Sequence, residues 1–89
     1  MAYFAVTYDL KEKEIDDYED LINQLKKMKS VRYQESCWFV EQNKTAQEVC
    51  NALKPYIHDD DKLMVIEFTE RPAMTKRLKG TRAWLDARF

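Results

Sequence analysis

Two hydrophobic periods alternate along this chain. Tyr3-Phe4-Ala5-Val6-Thr7-Tyr8 is a β-branched and aromatic run that stops on the carboxylate of Asp9, and it reads as a buried strand. After a polar turn, apolar residues recur at Ile15, Tyr18, Ile22 and Leu25, with Leu21 and Met28 beside them. That 3.6-residue period predicts an amphipathic helix from about Ile15 to Lys29. Acids cluster in its first turns and Lys26, Lys27 and Lys29 in its last, which suits the helix macrodipole. Val31 to Val40 is again strand-like, but alternation breaks at Gln34 to Ser36. Two short strands, or one strand with a bulge, account for that break.

Thr45 is a good N-cap, with Glu48 at capping-box spacing, and Ala46, Val49, Cys50 and Leu53 follow on one face. This second helix should end near Tyr56, because Pro55 removes a backbone donor. The hydrophilic turn His58-Asp59-Asp60-Asp61 leads into Leu63 to Phe68, which is apolar on both faces for most of its length. Pro72 stops that strand, and Gly80-Thr81 sets up a short terminal helix carrying Ala83, Trp84 and Leu85. The order β-α-β-β-α-β predicts an α+β, ferredoxin-like fold with an antiparallel sheet and a short C-terminal helix. Residues 1–70 form the ferredoxin-like domain, and residues 71–89 a basic extension, helical from about 81. The two helices cover one face of the sheet. The chain barely has the elements to cover the other, so a second copy is the economical expectation.

Composition adds limits. Eighty-nine residues leave no room for a separate catalytic module. A hydrophobic fraction of 45% with five Tyr, four Phe and two Trp supplies a core and leaves apolar surface over. There is no apolar run of about 18 residues to span a bilayer, and no leader pattern at the amino terminus. A cytoplasmic protein is the expectation. Cys37 and Cys50 lie in apolar contexts and read as buried reduced thiols, and one His with two Cys cannot build a zinc site.

The net charge of −1 hides a polarity along the chain. Asp9, Glu12, Glu14, Asp16, Asp17, Glu19 and Asp20 crowd one segment against Lys11 and Lys13. Arg71, Lys76, Arg77, Lys79, Arg82 and Arg88 crowd the tail against Asp86 alone. The distribution, rather than the total, decides whether a polyanion can bind.

Asp9 is the first chemical candidate, because ligands and metal ions collect at the carboxyl ends of strands. Metal-assisted phosphodiester hydrolysis needs carboxylate oxygens to hold Mg²⁺ or Mn²⁺. A capping or turn aspartate is the plainer alternative. Arg32, Gln34 and Ser36 alternate and should share a face, either to contact phosphate and position water or to bond the backbone at a bulge. Lys76, Arg77, Lys79 and Arg82 can grip a phosphate backbone or form a solvated helix face. Tyr8 and Tyr33 are base-stacking surfaces or interface aromatics, and Trp84 and Phe89 read as packing anchors. Asp59-Asp60-Asp61 lacks the glycine and distal glutamate of a calcium loop and reads as a solvated turn. His58 sits in no recognisable catalytic motif. A Gly-rich phosphate loop is excluded, since Gly80 is the sole glycine.

The strand ending Tyr8-Asp9, the helix after it, and Arg32-Tyr33-Gln34-Glu35-Ser36-Cys37-Trp38-Phe39-Val40 resemble the small dimeric CRISPR-associated adaptation endoribonucleases and their VapD-type toxin relatives. The segment from Thr45 to Phe68 fits the second half of the same pattern, so the resemblance covers residues 1–68. It implies a homodimer with facing sheets, in which Asp9 of each subunit lies near the two-fold axis and the pair holds one Mg²⁺ or Mn²⁺. It also implies that Gln34 and Ser36 neighbour that site as catalytic support. The helical tail departs from the family, which often ends in an added strand. A metal-dependent endonuclease acting on RNA or DNA is one expectation. The alternative is a non-catalytic dimer that binds nucleic acid or a protein partner, as a phage or mobile-element accessory factor would.

Overall fold

The computed structural model describes residues 2–11, 18–76 and 79–89. Its elements are β1 (Ala2–Asp9), α1 (Glu19–Lys27), β2 (Lys29–Gln34), β3 (Cys37–Gln42), α2 (Ala46–Leu53), β4 (Lys62–Phe68) and α3 (Thr81–Asp86), with a 3-10 turn at Lys54–Tyr56. The four strands form one sheet in the order β2-β3-β1-β4, and every neighbouring pair is antiparallel. Two split β-α-β units interleave, which is the ferredoxin-like arrangement expected from the order of elements.

Strand parity decides what each face carries, because successive side chains point to opposite sides. Phe4, Val6 and Tyr8 of β1 lie beside Trp38 and Val40 of β3, and all are buried against Leu21 and Leu25 of α1 and Val49 and Leu53 of α2. Leu63 and Val65 of β4 pack on the same cluster. The apolar stripe of each helix therefore meets the even-numbered residues of β1. Thr45 caps α2 as its sequence suggests: the Thr45 hydroxyl accepts from the Glu48 N–H at 3.1 Å, and Glu48 Oε1 accepts from the Thr45 N–H at 3.0 Å.

The other face is covered over part of its length by the chain's own tail. Trp84 and Leu85 of α3 pack with Phe39, and Tyr3, Ala5, Val31, Tyr33, Phe68 and Met74 complete this second cluster. Arg88 ties the tail down: its guanidinium donates to Glu41 Oε1 at 2.8 Å and lies over the Trp84 ring, 4.1 Å from the centroid. The aromatic tail thus supplies part of the cover that was expected of a second copy. Further along β4, Met64 and Ile66 are 53% and 49% exposed.

Other expectations needed adjusting. The first helix stops at Lys27, not Lys29, because Met28 turns to extended backbone and β2 begins at Lys29; its expected start at Ile15 lies outside the described residues. Cys37 is buried but Cys50 is only half-buried, and both are free thiols. The fold predicts two modest losses of stability in urea unfolding. Thr45→Ala removes the cap and costs about 1 kcal/mol. Gly80 opens α3 at φ 94°, where an added Cβ would meet Val31 only at an ordinary 3.7 Å. Gly80→Ala therefore costs about 1–2 kcal/mol, through the left-handed backbone and not through a clash.

Candidate functional site

Asp9 is the last residue of β1, exposed, and opposite Lys62 in the β1–β4 register. Parity places it on the face that carries Tyr3 and Ala5, along with Thr7, Met64 and Ile66. Tyr3 packs edge-on against Trp84 of the tail, and Asp9 lies six residues further on, about 20 Å along the strand. The carboxylate therefore stands at the open end of the face that the tail covers at its other end.

Asp9, Leu10, Lys11, Asp60 and Lys62 line a shallow cleft of about 270 Å³. Two carboxylates and two ammonium groups balance there, with Lys11 Nζ 3.7 Å from Asp60. Among the described residues, no group of three or more His, Cys, Asp or Glu side chains is placed to hold a metal ion. The described donors of one chain alone do not fit a divalent cation, which takes about six oxygen ligands. A second Asp9 carboxylate facing the first would change that balance.

Asp61, one residue before Lys62, is no solvated turn residue. Its Oδ1 accepts from the Lys11 N–H at 2.7 Å and the Tyr18 hydroxyl at 3.0 Å, and its Oδ2 accepts from the His58 N–H at 2.8 Å. Desolvation pushes the Asp61 carboxyl up, but the N–H groups of Lys11 and His58, the Tyr18 hydroxyl and the nearby His58 ring outweigh it and hold the carboxyl below its ordinary value. Sequence alone does not separate Asp61 from Asp59 and Asp60, because two of its donors lie 50 and 43 residues away. No local motif announces such a contact.

The turn joining β2 and β3 is fixed from the same end of the sheet. The Glu35 carbonyl accepts from the Tyr8 hydroxyl at 2.9 Å and from Arg32 Nε and Nη2 at 3.0 and 2.6 Å. Trp38 Nε1 donates to the Tyr8 oxygen at 3.0 Å, and the Tyr8 N–H donates to the Ser36 carbonyl. Tyr8 is therefore a buried structural hub, not a stacking platform. Tyr33 is stacked on Phe39, its ring 2° from parallel.

The expected common face of Arg32, Gln34 and Ser36 does not form. A register shift between Arg32 and Gln34 places Arg32 opposite Trp38 and Gln34 opposite Cys37, two consecutive residues on opposite faces. Arg32 lies over the Trp38 ring on the helix side, and Ser36 is an exposed turn residue outside both strands. Gln34 thus shares the Asp9 face, whereas Arg32 does not. Burial pushes the Cys37 thiol up to about 11, which leaves it protonated and unreactive at neutral pH.

In the tail, Lys76, Lys79 and Arg82 are exposed. Arg82 Nε lies 3.8 Å from Asp86, which also takes a 2.6 Å bond from Arg71. Arg77 lies outside the described residues. No described helix is long and apolar enough to cross a membrane.

The clasp carries a pH dependence. The lowered Asp61 and Glu48 carboxyls, the latter held down chiefly by the Thr45 N–H, stabilise the fold above the ordinary carboxylate range near about 4. That contribution is lost as pH falls through their lowered values. Thermal midpoints measured from neutral to acidic pH should fall less steeply in Asp61→Asn than in wild type.

No solved structure matches the chain. The family model of the CRISPR associated protein Cas2 matches residues 1–76, everything from the first strand to the start of the basic tail. This α+β chain, with an exposed aspartate ending its central first strand, belongs to the CRISPR-associated Cas2 family and is a CRISPR-associated, endoribonuclease-like protein.

Proposed function

We propose that the protein is a homodimeric, metal-dependent endonuclease of the cytoplasm, acting on RNA or DNA, in which Asp9 of two copies forms one cation site. The observation that carries this reading is the position of Asp9: it shares its sheet face with the exposed apolar side chains of Met64 and Ile66. Apolar surface next to an exposed carboxylate favours a second copy stacking there, and a two-fold axis through the open end of the face doubles the acid. Mg²⁺ or Mn²⁺ between the pair would supply Lewis acidity for phosphodiester hydrolysis. Gln34, on the same face, is the better placed of the two supporting residues, and Ser36 at the turn is the second. Lys76, Arg77, Lys79 and Arg82 hold the phosphate backbone, with Arg32 assisting through whatever donors Glu35 leaves open. Residues 1–70 act as the dimerising and catalytic domain, and residues 71–89 add the basic surface.

A second reading is a non-catalytic dimer that binds nucleic acid or a protein partner. It is favoured by the balanced charge of the Asp9 cleft and by the absence of a three-ligand cluster among the described residues.

Cleavage separates the two. Wild type should cut RNA or DNA only with Mg²⁺ or Mn²⁺ present, and Asp9→Asn should abolish cutting while the dimer persists in sedimentation. Equal products from both proteins would reject the endonuclease. Met64→Ser with Ile66→Ser should give monomers that keep the wild-type circular dichroism. In a dimer structure, the two Asp9 carboxylates should lie about 4 to 8 Å apart, given metal–oxygen bonds of about 2.0 to 2.6 Å.

The tail makes its own prediction. Each phosphate contact contributes about −0.9 to the slope of log affinity against log salt on duplex DNA. Replacing Lys76, Arg77 and Lys79 by Ala together should weaken binding at low salt and flatten that slope. No binding by wild type at low salt would remove the nucleic-acid role of the tail.

A further inference from the structure

We propose that Asp61 is a positioning residue for Asp9, an inference that rests on the reading of Asp9 as the cation-binding carboxylate. Asp9 and Lys62 form the last rung of the β1–β4 ladder, and terminal rungs fray because no further pair holds them. Here the rung is closed from beyond. Two residues after Asp9, the Lys11 N–H donates to Asp61 Oδ1 at 2.7 Å, and Asp61 directly precedes Lys62 in the chain. Asp9, Leu10, Lys11, Asp61 and Lys62 thus make a small closed ring, with a ladder pair on one side and a charge-assisted hydrogen bond on the other.

The carboxylate that closes the ring is itself immobilised. The Tyr18 hydroxyl holds Oδ1 from a residue that is only 5% exposed in the helix-side core, and the His58 N–H holds Oδ2. The Asp61 N–H in turn donates to the His58 carbonyl at 3.0 Å. A local turn aspartate would need only the His58 contacts. Those to Lys11 and Tyr18 cross 50 and 43 residues of sequence and fasten the chain leaving β1 and the chain entering α1 to the same oxygen, Oδ1. The exposed Lys11–Asp60 pair beside it adds little. The consequence is that the backbone carrying Asp9 is held by Asp61, so the direction of the Asp9 carboxylate is set before any cation arrives.

The test begins with the metal-free full-length protein, by NMR, on wild type, Asp61→Ala and Asp61→Asn. In Asp61→Ala, hydrogen exchange at the Lys11 and His58 amides should rise about tenfold. The Asp9 side-chain couplings should average towards free χ1 rotation, and Leu10 backbone order should fall, while the Phe4 and Val6 amides stay protected. Asp61→Asn keeps an oxygen for the Lys11 N–H and should restore most of the Asp9 order; it also serves should Asp61→Ala fail to fold. Mn²⁺ is then titrated in, and line broadening at Asp9 should need about tenfold more ion in Asp61→Ala than in wild type. If Asp9 couplings and Leu10 order match wild type while Lys11 exchange rises, Asp61 is a structural clasp only and the inference is overturned. If wild type shows no Mn²⁺ broadening at Asp9, the cation reading falls, and the metal-free couplings still decide whether Asp61 orients Asp9.

Discussion

The structure depends on β1 having a paired strand along both edges. β3 satisfies one row of its backbone groups and β4 the other, so the strand's register is held from two sides and cannot slip by one residue. A slip would exchange its faces: Phe4, Val6 and Tyr8 would leave the helix-side core, and Asp9 would turn beneath the helices. The burial of three even-numbered side chains is therefore what keeps an odd-numbered carboxylate in solvent. The position of the candidate site follows from the packing of the core, at no cost to that core.

The end of the sheet near Asp9 is reinforced by polar contacts that the core cannot make. Tyr8 and Arg32 converge on the Glu35 carbonyl, and Lys11, Tyr18 and His58 converge on Asp61. Strand ends are where ladder hydrogen bonds run out, and backbone groups there must find side chains or water. One cluster fixes the turn between β2 and β3, the other the exit from β1. Between them stands Asp9, exposed and with Lys62 across the ladder. The residues on both sides of it, Tyr8 and Lys11, are hydrogen-bonded across the fold, although Asp9 is itself open to solvent.

Much of this was legible in the residues. The capping box of Thr45 and Glu48, the β-branched and aromatic run of β1 and the short helix after Gly80 are local patterns, and each formed within a few residues of its expected place. The place of Asp9 at a strand end followed from the same run. What could not be read was long-range or depended on register. Arg32, Gln34 and Ser36 alternate in sequence, yet a single irregular pairing step at Tyr33 moves Arg32 to the other face. Asp61 looked like one acid in a run of three, and only tertiary contact with Lys11 and Tyr18 separates it from Asp59 and Asp60. Trp84 was legible as a packing anchor, but the strand face it would cover was not.

The tail's placement bears on how so small a chain can serve a site at all. The outer sheet face is too apolar to leave bare and too long for a six-residue helix to cover. α3 takes the end near Tyr3 and Phe68, where aromatic rings from four elements interlock. Its packing is imperfect, for the Trp84 indole N–H is buried with no hydrogen-bond partner among the described residues, a state that costs about 1–3 kcal/mol. Arg88 offsets part of that through its bond to Glu41 and its stacking on Trp84. The division leaves Met64 and Ile66 exposed and Asp9 at the uncovered end of the face, about 20 Å along β1 from Tyr3.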